Sequence, residues 1–301
     1  MSRIDDLVSR GVVRERVPLG PMTTYKLGGP AAYFADVVDR EALAEIAQSG
    51  VAASLPTLVI GRGSNLVVAD GGFDGLVIRL GEGFSQVSFD PGGQTVTAGG
   101  AVPLPKLARA VVDEGFTGLE FFVGVPGSVG GAVRQNAGCF GQETADRLAV
   151  ADLFDLSGGG RRRATPEQLE LSYRHSNVGS HEVVMEASFY IDEGDSEQAR
   201  AEMREITRWR RDNQPGGTLN AGSVFKNPDH ISAGELIDSL GLKGLRVGDV
   251  EVSNKHANFF VAGPDATSAQ IAELIAQVKD RVLEMSGTNL EPEIQMVGFE
   301  Q

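Results

Sequence analysis

Three short constellations in this chain carry side chains suited to chemistry. Tyr173-Arg174-His175-Ser176 sets a guanidinium among hydroxyl and imidazole groups. In an extended segment Arg174 and Ser176 share one face, with Tyr173 and His175 on the other. The planar fork of an arginine suits a carboxylate. In Asn220-Ala221-Gly222-Ser223-Val224-Phe225-Lys226-Asn227-Pro228, Ser223 follows a glycine and precedes two apolar residues. The nucleophile-elbow pattern G-x-S-x-G is missing and no Asp or His adjoins Ser223, so a hydrolytic nucleophile is unsupported. A hydroxyl that donates a proton remains open. In Leu290-Glu291-Pro292-Glu293-Ile294, Glu293 is expected to open a strand and place a carboxylate at a site edge. On residue type alone the plainer readings are a rim arginine, a turn serine and strand-start charges.

Two glycine-rich stretches offer a different chemistry. Gly118 to Gly138 reads G-L-E-F-F-V-G-V-P-G-S-V-G-G-A-V-R-Q-N-A-G, with large apolar residues running through it. Glycine among such residues suggests a rigid turn that lets another group approach the backbone. Peptide N–H groups released there can point at an anion. A tight β-corner buried in a core explains the same residues equally well. Thr57 to Asp70, T-L-V-I-G-R-G-S-N-L-V-V-A-D, reads as strand, anion-ready turn and strand. It lacks the third glycine and following helix of the dinucleotide fingerprint, and no G-x-x-x-x-G-K-[ST] occurs. Two such turns can embrace a pyrophosphate from both sides.

The elements that must position these residues follow from periodicity and punctuation. Helices are predicted over Asp39 to Gln48, Leu104 to Glu114, about Ser196 to Arg211, Ala233 to Leu240 and Ser268 to Met285. Strands are predicted at 58–60, 66–68, 76–80, 86–89, 95–98, 149–156, 183–191, 258–261 and 293–299, with Ser157 to Gly160 as a hairpin turn. Arg161-Arg162-Arg163 reads as a solvated strand. Asn213 to Gly217 is a breaker and a candidate domain boundary.

The totals narrow the class. The chain has 301 residues, a formal net charge of −14 and one cysteine, Cys139. The acidic balance argues against nucleic acid and anionic membrane surfaces as partners. A lone cysteine rules out an intrachain disulfide and suits a reducing compartment. No apolar run reaches membrane-span length and the N-terminus lacks a signal pattern, so a cytoplasmic protein is expected. Cys139 and the scattered His175, His181, His230 and His256 give no metal-ligand spacing, so no metal is expected.

Taken in order, G-R-G-S-N-L-V-V-A-D, the long glycine stretch, Y-R-H-S, N-A-G-S-V-F-K-N-P, G-L-K-G-L-R-V-G and L-E-P-E-I resemble the UDP-N-acetylenolpyruvoylglucosamine reductases. The resemblance runs from about Thr23 to Phe299, and Val252 to Phe259 is similar to the shorter, type II form. It implies an α+β protein of three domains. Residues 1–80 and 81–207 with 288–301 would form a vanillyl-alcohol-oxidase-like FAD-binding unit, and 208–287 a substrate-binding domain. Gly61, Arg62, Gly63, Ser64, Asn65, Gly124, Pro126, Gly127, Ser128, Gly131, Asn136 and Gly138 would then serve non-covalently bound FAD.

The implied chemistry belongs to peptidoglycan precursor synthesis. Hydride passes from NADPH to the flavin, then to the enolpyruvyl group of UDP-N-acetylglucosamine enolpyruvate, giving UDP-N-acetylmuramate. By similarity Ser223 protonates the other carbon, while Arg174 and Glu293 stabilise the enolate-like intermediate. A guanidinium facing developing negative charge is electrostatic stabilisation. A serine can donate only to a strong base of this kind. Tyr173, Ser176, Asn227 and Arg211 are the expected substrate contacts. A family lysine that contacts substrate corresponds here to Asn213, and Arg210 or Arg211 is expected to replace its charge. A monomer is expected. Two rivals remain: another FAD-linked oxidoreductase of the same flavin-binding class, and a non-catalytic flavin- or nucleotide-binding protein.

Overall fold

The computed structural model describes residues 2–299. The chain divides into two compact units. One holds the chain up to Glu15, Tyr33–Arg62 and Gly75–Trp209; the other holds Arg16–Ala32, Gly63–Asp74 and the chain from Arg210 on.

In the first unit α1 (Arg3–Ser9) starts at a Ser2 capping box, and α2 (Arg40–Ser49) starts at Asp39, which accepts the Ala42 N–H at 2.8 Å. The apolar face of α2, Leu43, Ile46 and Ala47, is buried against Leu76 and Ile78 of the strand Phe73–Leu80. Thr57–Ile60 runs parallel to that strand, with Ile60 opposite Arg79. The larger layer is a five-stranded antiparallel sheet in the order Arg161–Ala164, Leu148–Asp155, Glu182–Tyr190, Thr95–Gly99, Val87–Phe89. The predicted turn at 157–160 joins its first two strands. Three helices, α3 (Leu104–Asp113), α4 (Val129–Gln135) and the short α5 (Thr144–Arg147), follow in the chain. Leu107, Val111, Phe121, Phe122, Val129 and Val133 share one core with Val96, Leu153 and Phe189 of the sheet. Phe122 meets Phe189 edge-on with centroids 5.5 Å apart. The helix α6 (Ser196–Asn213) turns Ala199, Met203 and Ile206 inward.

In the second unit α7 (Ala233–Ser239) and α8 (Ser268–Ser286) pack with a three-stranded antiparallel sheet, Arg246–Val247, Val250–Val252, Phe260–Ala262. The spacing of Ile271, Leu274, Ile275, Val278 and Val282 gives α8 one apolar stripe, and all five are buried. Thr267 with Gln270 makes its capping box, and Gly287 at φ 73° ends it. Asp70 accepts the Ser268 and Ala269 N–H groups at 2.9 and 3.0 Å. Among the described residues no helix is long and apolar enough to cross a membrane.

Four expectations change. The stretch Gly118 to Gly138 is more regular than a turn: it holds a 3-10 turn at Glu120–Gly124 and α4. The two strands flanking Gly61 to Asn65 do not share a sheet, since Leu66–Val68 pairs parallel with Gln295–Val297. The tail strand therefore joins residues 66–68 and not a strand of 81–207. It begins at Gln295, so Glu293 lies just before it. The segment 173–176 is not extended; Ser172 and His175 bridge across a tight turn that places Arg174 at φ 53°. Alternation consequently does not put Arg174 and Ser176 on one face.

Candidate active site

The first unit contains a cleft of about 130 Å³ lined by glycine and arginine. That is well above the ~10–15 Å³ one water needs. Thr57–Ile60 ends at its edge in Gly61 and Arg62, and α4 brings Ser128, Gly130, Gly131 and Arg134. The two glycine-rich stretches meet here. A Cβ on Gly61 would lie 2.6 Å from Ser128 Oγ, and Arg62 Nε donates to the Pro126 carbonyl at 3.2 Å. A Cβ on Gly100, across the cleft, would collide with the Val184 carbonyl. Both positions are packed too closely to admit a side chain, which is what glycine permits at the edge of the cleft. Arg134 Nη1 donates to the carbonyls of Val178 (3.3 Å) and Gly179 (2.9 Å). Burial draws its guanidinium pKa below the ordinary value, and the negative charge of Glu182 opposes that. Glu182 is itself held low, first by a two-pronged hydrogen bond from Arg162 at 2.6 and 2.9 Å. With its one carboxylate so engaged, and Arg79 paired with Asp36 at 2.6 Å, a cleft edged by Arg62, Arg134 and a serine hydroxyl suits an anionic, phosphate-bearing cofactor such as FAD.

Two peptides of the longer glycine stretch are engaged within the fold. Val129 N–H and Gly130 N–H donate to Val102 and Gly100 carbonyls, both at 2.9 Å. Arg134 and Glu182 were missed. The spacing of Arg134 from Gly130 and Gly131, four and three residues, was a readable signal, because it puts all three on one side of a helical turn. Gly127 gives its carbonyl to Leu104 N–H, and Gly124 is buried at the end of the 3-10 turn.

Asn136 and Gly138 serve a neighbouring structure. Asn136, fully buried at φ 43°, donates to Glu143 Oε2 (2.8 Å) and the Ser172 carbonyl (2.9 Å) and accepts the Ala145 N–H (2.9 Å). This amide ties the hairpin Gly138–Cys139/Gln142–Glu143 to the turn bearing Arg174. Arg174 Nη1 then donates to Glu143 Oε1 at 3.2 Å and Nη2 to the Gly138 carbonyl at 3.1 Å. Its guanidinium lies over the Tyr173 ring, 4.8 Å from the centroid. Arg174 is thus held in a defined pose, its side chain only 16% exposed. Ser176 Oγ donates to the Arg134 carbonyl at 2.6 Å, linking this turn to α4.

The second unit brings Ser223, Asn65 and Glu293 together. The Glu293 N–H donates to the carbonyl of Val224, next to Ser223, at 2.8 Å, and Phe225 bridges Pro292 antiparallel. Asn65 Nδ2 donates to the Glu293 carbonyl at 3.0 Å, and the Asn65 carbonyl accepts Gln295 N–H at 3.0 Å. Gly63, at φ 60°, packs so tightly that a Cβ there would strike the Met22 carbonyl, and its own carbonyl accepts Thr24 N–H. Ser64, between them, is half-buried. Asn227 Oδ1 accepts the Ala233 N–H at the start of α7 at 3.0 Å. Arg211 is 73% exposed and pairs with Asp212, while Arg210 Nε donates to Gln214 Oε1 at 2.8 Å.

Residues 214–297 match the family described as UDP-N-acetylenolpyruvoylglucosamine reductase, C-terminal domain, and residues 31–162 match the FAD binding domain. The UDP-N-acetylenolpyruvoylglucosamine reductase of Azorhizobium caulinodans is 40% identical over 290 residues, spanning 96% of this chain and 93% of that protein. That of Methylorubrum populi is 41% identical over 305 residues, spanning 99% and 97%. The crystal structure of the Thermus caldophilus enzyme superposes with a TM-score of 0.81 at 37% identity, covering 95% of this chain and 99% of that one. 6-Hydroxy-D-nicotine oxidase from Arthrobacter nicotinovorans, 14% identical with a TM-score of 0.53 over 93% and 85% of the chains, shares the fold alone. With identity at the level of the first two relatives sustained across nearly the whole of each pair, this chain belongs to the UDP-N-acetylenolpyruvoylglucosamine reductase family.

Proposed function

We propose that this chain reduces the enolpyruvyl group of UDP-N-acetylglucosamine enolpyruvate to UDP-N-acetylmuramate in peptidoglycan precursor synthesis, with FAD as cofactor and NADPH as hydride donor. The observation that carries it is the near-full-length match to reductases of this name. When bound, FAD supplies the two-electron relay between the nicotinamide and the substrate. The chain's own residues do the rest. Gly61, Arg62, Ser128 and Gly131, joined by Arg134, hold the phosphate-bearing part of the cofactor. Arg174, in its fixed pose, opposes the negative charge that develops on the enolpyruvyl carboxylate. Ser223 Oγ–H gives the proton to the carbon that does not take hydride, and Glu293 steadies the same intermediate. Tyr173, Ser176, Asn227 and Arg211 are assigned to the substrate.

Residues 1–80 and 81–207 are assigned to the flavin and 208–287 to the substrate, with the tail counted beside Leu66–Val68, its strand partner. The single cysteine and the pairing of a nucleotide sugar with NADPH support a cytoplasmic setting, and a monomer is the assigned state.

The test is an anaerobic visible spectrum with NADPH and then the enolpyruvate added in turn. Flavin bands that bleach and then return support the reaction. Bands that bleach and stay bleached would leave a flavoprotein with another substrate, the rival oxidoreductase. A protein that takes up flavin but is never bleached would be the non-catalytic rival.

A further inference from the structure

Ser223 sits on irregular backbone. Gly222 before it adopts φ 78° and Phe225 after it makes only an isolated bridge. A hydroxyl on such a segment needs its peptides held, or its position drifts. Asn258 holds them. It is 2% exposed, and its amide grips both sides of one residue: Oδ1 accepts the Phe225 N–H at 2.9 Å and Nδ2 donates to the Phe225 carbonyl at 2.8 Å. Its own carbonyl accepts the Val224 N–H at 2.9 Å. The remaining group of that peptide pair, the Val224 carbonyl, accepts the Glu293 N–H. The two residues after Ser223 are therefore fastened on one edge by Asn258 and on the other by the segment bearing Glu293. On the opposite flank, Gly222 N–H donates to Asn220 Oδ1 at 3.1 Å.

We infer that Asn258 is a positioning residue for the protonation step: its buried amide fixes Ser223 in register with Glu293. It does not touch substrate; it acts through the 224–225 backbone. The inference rests on the assignment of Ser223 as proton donor. An amide is the side chain for this task, because a planar donor–acceptor pair matches one peptide N–H and one carbonyl at once, as a neighbouring strand would. Loss of either half leaves a buried backbone group unsatisfied. A shift of about 1 Å in a reacting group can cost ~10²-fold in rate.

The test uses full-length, FAD-loaded protein and follows the two half-reactions separately, flavin reduction by NADPH and reoxidation by the enolpyruvate. In Asn258→Ala, reoxidation is expected to slow by about 10–100-fold with flavin reduction nearly unchanged. Amide exchange at Val224 and Phe225 should accelerate in the same variant. Asn258→Asp keeps the acceptor for Phe225 N–H and is the second variant should the alanine protein fail to fold. Its carboxylate faces the Phe225 carbonyl when ionised and can donate to it when protonated. Its reoxidation deficit relative to the unsubstituted protein should therefore shrink as pH falls. In Ser223→Ala, adding Asn258→Ala or Asn258→Asp should slow reoxidation little further, since both act through one hydroxyl. Equal slowing of both half-reactions, or effects that multiply in the double variant, would overturn the inference. If Ser223→Ala alone reoxidises at the normal rate, the assignment of Ser223 itself fails, and that outcome is read from the single variant.

Discussion

At the scale of the residue, the three side chains proposed for catalysis differ in how firmly the chain holds them. Arg174 is the most constrained, since its turn, its two donor bonds and the Tyr173 ring all specify one pose. A lysine there has a single ammonium and no fork. Arg174→Lys is expected to slow substrate-driven reoxidation by about 10²–10³-fold, the loss typical of one displaced electrostatic donor. A variant within a few-fold of normal would remove Arg174 from the catalytic set. Ser223→Ala should leave reduction by NADPH nearly intact and slow reoxidation by roughly 10²–10⁴-fold, as for a lost acid. Arg211 is assigned on charge alone and its side chain is well exposed. If it binds substrate, Arg211→Ala raises KM several-fold and leaves kcat unchanged. An unchanged KM would end that assignment.

Elements carry the next set of expectations. Gly131 is exposed on α4, and a Cβ there would meet only Ser128 Oγ at 3.6 Å, an ordinary contact. The fold tolerates a side chain at this position, so Gly131→Leu probes the cleft. Flavin content should fall by more than half while the flavin-free protein melts within about 2 °C of the original; full flavin would take Gly131 out of the site. The loop before Phe260–Ala262 holds a pH-sensitive group. Burial first, then Lys243, pushes the His256 imidazole below its ordinary 6.5, and its Nδ1 accepts the Asn258 N–H at 3.3 Å. Between 6.5 and the lower folded value the unfolded chain binds more protons, so stability falls as pH falls through that window and is level above it. Unfolding titrations should show this slope, and His256→Gln should flatten it. On α6 the sign reverses. Burial, then Glu120 and Glu205, raise the Glu202 carboxyl above its ordinary 4.5. The folded state then holds the extra proton, stability falls as pH rises through that window, and the penalty persists at neutral pH. Because Glu202 is exposed, Glu202→Gln should raise Tm at pH 7 by only about 1–2 °C, with no gain at pH 4.

At the scale of the whole molecule, cofactor and stability are linked. A ligand that binds only the folded chain adds roughly 2.7 kcal/mol at one hundred times its Kd. Flavin removal should therefore lower Tm by several degrees. Readdition of FAD should restore it in proportion to the logarithm of its concentration.

Much of this was legible in the chain alone, because it depends on local rules. The stripe of α8, its Thr267 and Gly287 caps and the Asp39 cap of α2 depend on residues within a turn or two of one another. The order of the motifs, ending in A-G-S-V-F-K-N-P and L-E-P-E-I, was enough to indicate the family. Long-range pairing was not legible. A parallel partner for Leu66–Val68 lies more than two hundred residues away, and three apolar residues do not encode which strand they join. The turn at Arg174 needed φ 53°, which no residue type in Y-R-H-S announces; the buried Asn136 amide and the hairpin at Gly138 impose it. Nothing in the sequence marks Asn258, since an asparagine acquires this role only when the fold brings the Phe225 peptide to its amide. The sequence by itself determined most of the elements, their order and the chemistry of the side chains. Only the tertiary structure decided which of those side chains are anchored and by what, because hydrogen bonds between distant segments depend on where the packed core leaves each backbone group.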